Sequence, residues 1–163
     1  MVKLRPATQV DLALFTKVYN QSIAARNITA DIDAVTEQDM AHIFDNHDST
    51  RPLFTVIDEE QRPIGYASLN HFYGRPAYDE TAEISIYLDQ HIRGKGIGTK
   101  VMKRLEQEAK ALGIHYLTGY VFAQNIPCNK LFEKQGYVLW GELPQIAHID
   151  DARLDLNIWG KQI

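Results

Sequence analysis

The spacing of the apolar positions changes several times along the chain, and each change predicts a different kind of element. Residues 81–89 alternate between apolar and polar side chains, which predicts a strand with one packed face and one face toward a cleft or solvent. Its polar positions are Glu83, Ser85, Tyr87 and Asp89. Residues 99–112 repeat apolar side chains at helical spacing before Gly113, a common residue just after a helix, and so predict an amphipathic helix.

The remaining elements follow from the same patterns. Strands are predicted at residues 2–5, 53–57, 64–72, 115–122, 137–140 and 154–159. Helices are predicted from a Thr8 cap to about Ala25, from a Thr36 cap through Phe44, and over residues 127–135. The polar stretch 26–35 is expected to be a loop that shapes a ligand cleft. This order of elements predicts an α+β fold with a mixed sheet.

Composition narrows the class of protein. A length of 163 residues predicts a single domain, residues 1–163, with no second core. The formal net charge of -4 argues against nucleic acid or an anionic membrane as partner, because both require clustered positive charge. No run of residues is apolar enough for a signal peptide or a membrane span. We therefore expect a cytoplasmic protein with a small-molecule substrate.

Cysteine and histidine offer little chemistry of their own. The single cysteine, Cys128, cannot form an intrachain disulfide and has no neighbouring histidine to activate it, so we interpret it as a packing residue. The six histidines are scattered, with no pair at the short spacing of a zinc motif. No metal is expected.

Candidate chemistry concentrates in the segment Arg93-Gly94-Lys95-Gly96-Ile97-Gly98-Thr99, between the alternating strand and the amphipathic helix. Closely spaced glycines let the backbone approach a ligand, and the helix start directs unpaired N–H groups and a positive dipole end at the same place. No Gly-Lys-Ser/Thr ending is present, which disfavours a nucleotide-triphosphate loop. The dinucleotide fingerprint is also absent. The segment predicts a pyrophosphate site of another kind.

The pattern R-x-x-G-x-G, formed by Arg93, Gly96 and Gly98, resembles the acyl-CoA pyrophosphate loop of the GNAT superfamily of N-acetyltransferases. Residues 125–137 resemble a later motif of that superfamily: an asparagine, a small residue three positions on, then an aromatic, a glycine and an aromatic. Shorter runs at 19–20, 51–52, 72–78, 81–87 and 155–156 resemble the phosphinothricin and methionine-sulfoximine N-acetyltransferases within it.

The resemblance implies the GNAT fold, a mixed, mostly antiparallel seven-stranded sheet flanked by about four helices. Two of its strands splay apart and admit the pantetheine arm of acetyl-CoA, and members of the subgroup are usually homodimers. The residues that the resemblance places at the cofactor are Ile86, Tyr87, Leu88, Arg93, Gly94, Lys95, Gly96, Ile97, Gly98, Thr99 and Asn125. Lys130 and Lys134 lie near where the adenosine phosphate of CoA could run, although lysines on a short surface helix are more often simply solvated.

The resemblance also implies roles at the substrate. Glu83 occupies the position of the proposed general base, which the reaction needs because only a free amine attacks a thioester. Arg75 is expected to bind a substrate carboxylate or phosphinate, since a guanidinium matches such anions with two hydrogen bonds. Tyr73, Tyr78 and Arg26 are further candidates for the pocket wall. From the alternating pattern alone, Glu83 would be interpreted as a solvent-facing glutamate of a strand. For Arg75, an exposed arginine in a turn before Pro76 is a competing interpretation.

One residue departs from the family pattern. Many members carry a tyrosine, and some of the subgroup a histidine, where this chain has Phe132, so the acid that protonates the leaving thiolate is unassigned. The predicted function is acetyl-CoA-dependent acetylation of the α-amino group of a small amino-acid-like compound. Two alternatives stay open: acetylation of another amine, such as a polyamine or a protein N-terminus, and a non-catalytic acyl-CoA-binding module.

Overall fold

The computed structural model describes all 163 residues. Its strands are β1 (Lys3–Pro6), β2 (Leu53–Ile57), β3 (Pro63–His71), β4 (Thr81–Leu88), β5 (Tyr116–Phe122), β6 (Val138–Ile149) and β7 (Ala152–Gln162). Its helices are α1 (Leu12–Ala24), α2 (Glu37–Asp45), α3 (Ile97–Ala111) and α4 (Ile126–Lys134), with short 3-10 turns at Gln9–Asp11, Pro76–Tyr78 and Gln90–Ile92.

The seven strands form one sheet in the order β1-β2-β3-β4-β5-β7-β6. Every neighbouring pair is antiparallel except β4 and β5, which run parallel. A parallel pair needs a crossover connection, and here α3 supplies it. The predicted GNAT architecture, a mixed and mostly antiparallel seven-stranded sheet with four helices, is therefore confirmed.

The two parallel strands separate after a short paired stretch. Only three positions pair, from Thr81 opposite Tyr116 to Glu83 opposite Thr118, although β4 continues to Leu88 and β5 to Phe122. Beyond Glu83 the two strands diverge and leave a gap in the middle of the sheet. We call this gap the β4–β5 split.

The two faces of the sheet are covered by different helices. Ala82, Ile84 and Leu88 of β4 pack in the same core as Val101, Met102 and Leu105 of α3. On the opposite face, Tyr87 packs against a cluster that contains Phe15, Tyr19 and Ile23 of α1 and Met40 of α2. The alternation predicted for residues 81–89 is thus real, and it turns Glu83 and Tyr87 toward the α1–α2 face.

Most predicted elements lie within two residues of the observed ones, but the last two strands were predicted too short. Residues 137–140 and 154–159 were expected, whereas β6 and β7 run to 12 and 11 residues. Pro144 interrupts the apolar pattern of β6, and a register shift between Leu143 and Ala147 accommodates it. Because β6 is an edge strand, its outer side needs no partner and tolerates proline.

Candidate functional site

A cleft of about 940 Å³ runs through the β4–β5 split. Residues from β4, the glycine-rich segment, β5 and α4 line most of the cleft, and Ser22, Asn27 and Ile28 line it near the end of α1. The loop after α1 therefore borders the cleft, as expected for residues 26–35. Because the cleft passes through the sheet, a long ligand can enter over one face and present its end at the other.

The glycine-rich segment folds as the sequence predicts. Gly94 and Gly96 adopt left-handed φ angles of 82° and 72°, and Gly96 is the residue that caps the N-terminus of α3. A β-carbon on Gly98 would lie 3.3 Å from Leu131 Cδ2, so this glycine lets α3 pack closely against α4. The first N–H groups of α3 point out of its N-terminus without helical acceptors, as an anion site requires.

Arg93 connects this segment to the strand before it. Its Nε donates to the carbonyl oxygen of Leu88, the last residue of β4, at 3.2 Å. The Arg93 side chain is thereby held at the end of β4 and lines the same cleft as the start of α3, so it adds positive charge to that of the helix N-terminus. These features form a cradle with the positive charge and the free N–H groups that suit a pyrophosphate.

The start of α4 closes the cleft from the far side. Asn125 caps this helix, its Oδ1 accepting from the Cys128 backbone N–H at 3.4 Å. Asn129 connects α4 to two strands. Its Nδ2 donates to the carbonyl oxygen of Phe122 on β5 at 2.9 Å, and its Oδ1 accepts from Trp159 Nε1 on β7 at 2.9 Å. These contacts hold the ends of β5 and α4 at a fixed distance.

Glu83 lies at the last paired position of β4, where the split opens, and its side chain lines the cleft. The carboxylate is half-buried and makes no hydrogen bond or ion pair. Burial alone raises its pKa from 4.5 to about 7. A carboxylate with that pKa can take up a proton near neutral pH, which a general base must do.

Buried polar contacts fix the backbone of β4 around Glu83. Asn70 on β3 donates from Nδ2 to the Glu83 carbonyl at 3.3 Å and to Ser85 Oγ at 3.0 Å. The buried Arg51 donates from Nη2 to the carbonyl of Asp79 at 2.7 Å, just before β4 begins. These contacts hold the backbone at and before Glu83 in place, whereas the Glu83 carboxylate itself makes no hydrogen bond.

The raised pKa predicts a pH-dependent stability difference for Glu83→Gln. Because the folded-state pKa lies above the unfolded value, the stability linked to this group is present below pH 4.5 and is lost as pH rises through about 7. Glutamine does not titrate. The free energy of unfolding of the variant, relative to wild type, should therefore rise by about 2 kcal/mol between pH 5 and pH 8. Urea unfolding at both pH values measures this change.

Glu80→Gln is the matched control for that experiment. Glu80 lies three residues earlier, is exposed and is not part of the cleft. Its substitution should leave the pH dependence of the unfolding free energy as in wild type. A Glu83→Gln curve parallel to wild type across this range would show that burial does not perturb Glu83.

The structure brings most of the predicted cofactor residues together. The cleft is lined by Ile86, Tyr87, Leu88, Arg93, Gly94, Gly96, Ile97, Gly98, Thr99, Asn125, Lys130 and Lys134. Lys95 is exposed and does not line it. The roles of the lining residues at a ligand stay predictions, but these residues do form one continuous surface.

The predicted substrate residues lie outside the cleft of this chain. Arg75 and Tyr73 are exposed in the loop between β3 and β4, and Tyr78 packs edge-on against Phe72 at 5.4 Å between ring centroids. Arg26 is engaged elsewhere, with Nη1 donating to the Ile32 carbonyl at 2.7 Å and Nε 3.3 Å from Asp150 Oδ2. Their substrate role is a prediction that rests on the sequence resemblance alone.

Two further residues that line the cleft, Phe132 and Cys128, are packed against the main core. Phe132 is buried, stacks edge-on with Tyr137 and lies against Gly119, where a β-carbon would come within 2.3 Å of its ring. Burial raises the pKa of the Cys128 thiol to about 11, so it is neutral at ordinary pH. Cys128 also packs against the main core, in agreement with a packing role.

Tyr120 is a cleft residue that the sequence patterns did not predict. It lies on β5 two residues beyond the last pair with β4, and it lines the cleft with 37% of its surface exposed. In the sequence it is one more aromatic residue in an apolar strand, and only the divergence of β4 and β5 gives it access to the cleft.

Other kinds of site are not evident in the structure. No group of three or more histidine, cysteine, aspartate or glutamate side chains is arranged to hold a metal ion. None of the helices combines the length and the apolar character needed to cross a membrane.

Comparison with known proteins identifies relatives that are named acetyltransferases. Residues 19–137 match the model of the acetyltransferase (GNAT) family. The chain is 42% identical, over 98% of each chain, to YwnH of Bacillus subtilis, provisionally named a phosphinothricin acetyltransferase. It is 27% identical, over 98% of its length and 94% of the relative, to the L-methionine sulfoximine/L-methionine sulfone acetyltransferase of Salmonella typhimurium.

A solved structure extends this likeness to the fold. The phosphinothricin acetyltransferase of Sinorhizobium meliloti, in complex with acetyl-CoA, superimposes with a TM-score of 0.92 at 27% identity. The match covers 99% of this chain and 88% of the other.

Proposed function

Since the chain belongs to the GNAT acetyltransferase family and is an N-acetyltransferase, we propose that it transfers the acetyl group of acetyl-CoA to the α-amino group of a small amino-acid-like compound. The observation that carries this proposal is Glu83, a half-buried carboxylate without partners at the point where the cleft passes through the sheet. A protein that only bound acyl-CoA would have no use for such a group.

The α3 side of the cleft suits the acyl donor. Acetyl-CoA, when bound, supplies an acetyl thioester that is open to attack by an amine. The N-terminus of α3, with Gly94, Gly96 and Arg93, would hold the pyrophosphate. The backbone of β4 beyond Glu83 has no partner in β5, so the N–H and C=O groups of residues 86–88 that face the split can bind the amides of the pantetheine arm.

Glu83 would act at the opposite end of the split. An α-ammonium group is largely protonated near neutral pH and must lose a proton before it can attack. The carboxylate of Glu83, with a pKa near 7, accepts that proton directly or through one water. The freed amine then attacks the thioester carbonyl in a single displacement, without an acetylated enzyme.

The substrates that we propose are methionine sulfoximine, methionine sulfone and phosphinothricin. Relatives with these compounds in their names match nearly the whole chain, and the run 72–78 with Arg75 resembles the same subgroup. All three are α-amino acids with a tetrahedral oxidised sulfur or phosphorus group. A guanidinium is well suited to the carboxylate or the phosphinate of such a compound.

A thiol-release assay with acetyl-CoA tests the proposed function. The panel contains the three compounds, a polyamine and a peptide with a free N-terminus, and the acetylated position is identified by NMR. We expect turnover of the amino acids with the acetyl group on the α-nitrogen. Preference for the polyamine or the peptide would replace the substrate class, and a lack of turnover with acetyl-CoA bound would favour a non-catalytic module.

Arg75 provides a separate prediction about substrate binding. Replacing a charged hydrogen-bonding group with alanine costs about 1.5 to 3 kcal/mol. Arg75→Ala should therefore raise the KM for the amino acid about 10- to 100-fold while kcat changes little, if the contact is equally strong in ground and transition states. Steady-state kinetics with varied amino acid measure both constants.

Arg153→Ala is the control, because Arg153 is also exposed but lies on β7. Its KM should equal that of wild type. If both variants behave like wild type, Arg75 is an ordinary surface residue. The homodimer implied by the resemblance also stays a prediction, to be measured as the mass of the protein in solution.

A further inference from the structure

Tyr120 and Glu83 face the same region of the β4–β5 split. Gly119 lies against Phe132 on α4, so its neighbour Tyr120 points to the opposite face of β5, the face shared with Glu83. Tyr120 lies two residues beyond Thr118, which pairs with Glu83. Burial, and to a smaller extent the negative charge of Glu83, raises the pKa of the Tyr120 hydroxyl. Two groups that exchange protons thus border the opening from its two strands.

The other polar side chains near the split are less suited to donate a proton. Tyr87 is wedged between Tyr19 and Tyr66, with ring centroids 5.2 and 5.0 Å away. Ser85 is engaged by Asn70 at 3.0 Å. Cys128 is packed into the core, and Phe132 has no exchangeable proton. The Tyr120 hydroxyl, in contrast, makes no hydrogen bond and is partly exposed in the cleft.

We propose that Tyr120 is a second catalytic residue, which donates its hydroxyl proton to the sulfur of CoA as the acetyl group is transferred. This inference rests on the proposed function, because it requires a thioester and an amine to react in the cleft. It does not depend on which amine is the substrate.

The protons and electrons of this step balance. Glu83 takes one proton from the substrate ammonium, and the nitrogen lone pair forms the new C–N bond. The C–S bond breaks, its electron pair stays on sulfur, and the Tyr120 proton passes to that sulfur. The phenolate recovers a proton from the Glu83 carboxyl group. Glu83 then takes the second proton from nitrogen and releases it to solvent, which leaves amide, thiol and one proton.

Tyr120→Phe tests the role, with Tyr116→Phe as its control. Tyr116 is on the same strand, is 38% exposed, and does not line the cleft. We expect Tyr120→Phe to lower kcat about 100-fold, near the low end for loss of an acid or base, with both KM values unchanged. Tyr116→Phe should match wild type. An unchanged kcat, or an effect on the KM for the amine alone, would overturn the role.

A binding measurement provides a readout that is independent of turnover. A hydrogen bond from Tyr120 should stabilise the thiolate of bound CoA, so thiolate absorbance should appear about one pH unit lower in wild type than in Tyr120→Phe. Equal titrations would contradict the proposal. The kinetic comparison uses the best acceptor found, whatever its class, so slow Tyr120→Phe turnover with a polyamine would refute the proposed substrate but support Tyr120.

Discussion

Glu83→Gln should lower kcat by about 10²- to 10⁴-fold, the usual effect of losing a general base. Glutamine has nearly the same shape but cannot accept a proton at any working pH. Since the carboxylate makes no hydrogen bond or ion pair that the substitution would break, the fold and the affinity for acetyl-CoA should not change. Steady-state kinetics over pH 6 to 9, together with a titration of acetyl-CoA, separate these effects.

The comparison with Glu80→Gln isolates the position of the carboxylate from the change of charge. Both substitutions remove one negative charge from neighbouring parts of the chain, but only Glu83 lines the cleft. Near-wild-type kcat for Glu83→Gln at every pH would show that Glu83 is structural. Equal losses in both variants would indicate a general electrostatic effect rather than proton transfer.

Gly96→Asp should abolish stabilisation of the protein by acetyl-CoA. At a concentration about 100 times Kd, a ligand adds about 2.7 kcal/mol to the free energy of unfolding, and wild type should show the corresponding rise in Tm. An aspartate at Gly96 places a side chain and a negative charge at the N-terminus of α3, where the pyrophosphate would lie. Thermal unfolding with and without acetyl-CoA measures the effect.

The opposite end of the same helix offers a close control. Gly113 has a φ angle of 76°, similar to the 72° of Gly96, and a β-carbon at either glycine would meet no atom within 4 Å. Gly113→Asp should therefore lower the unliganded Tm at least as much as Gly96→Asp, because a negative charge is less favourable at a helix C-terminus, while preserving the response to acetyl-CoA. No response in wild type at saturating acetyl-CoA would refute the assignment of the cradle.

Local patterns predicted the elements that position the cleft. The alternation in β4 arises because its two faces pack differently. The glycines around the start of α3 are required by two left-handed backbone angles, at Gly94 and Gly96, and by the close contact of Gly98 with α4. Both features depend on residues near one another in sequence. The lengths of β6 and β7 depend instead on pairing with a neighbouring strand, so local patterns predicted both strands too short.

Features that depend on distant contacts were not predictable in this way. The access of Tyr120 to the cleft exists because β4 and β5 stop pairing after Glu83, and nothing near Tyr120 in the sequence marks that point. For Arg75 the sequence predicts a role in the site that its position in the structure does not explain. Its motif context suggests a substrate role, but the structure leaves it exposed beside β4 and outside the cleft of its own chain.

The most direct test of the proposed function compares methionine sulfoximine with its decarboxylated amine under saturating acetyl-CoA. The two compounds differ only in the carboxylate, so the ratio of their kcat/KM values reports whether an amino acid is recognised. We expect the amino acid to be favoured about 10- to 100-fold, the value of a charged hydrogen bond. Equal or faster acetylation of the decarboxylated amine would contradict the proposal that this enzyme acts on α-amino acids.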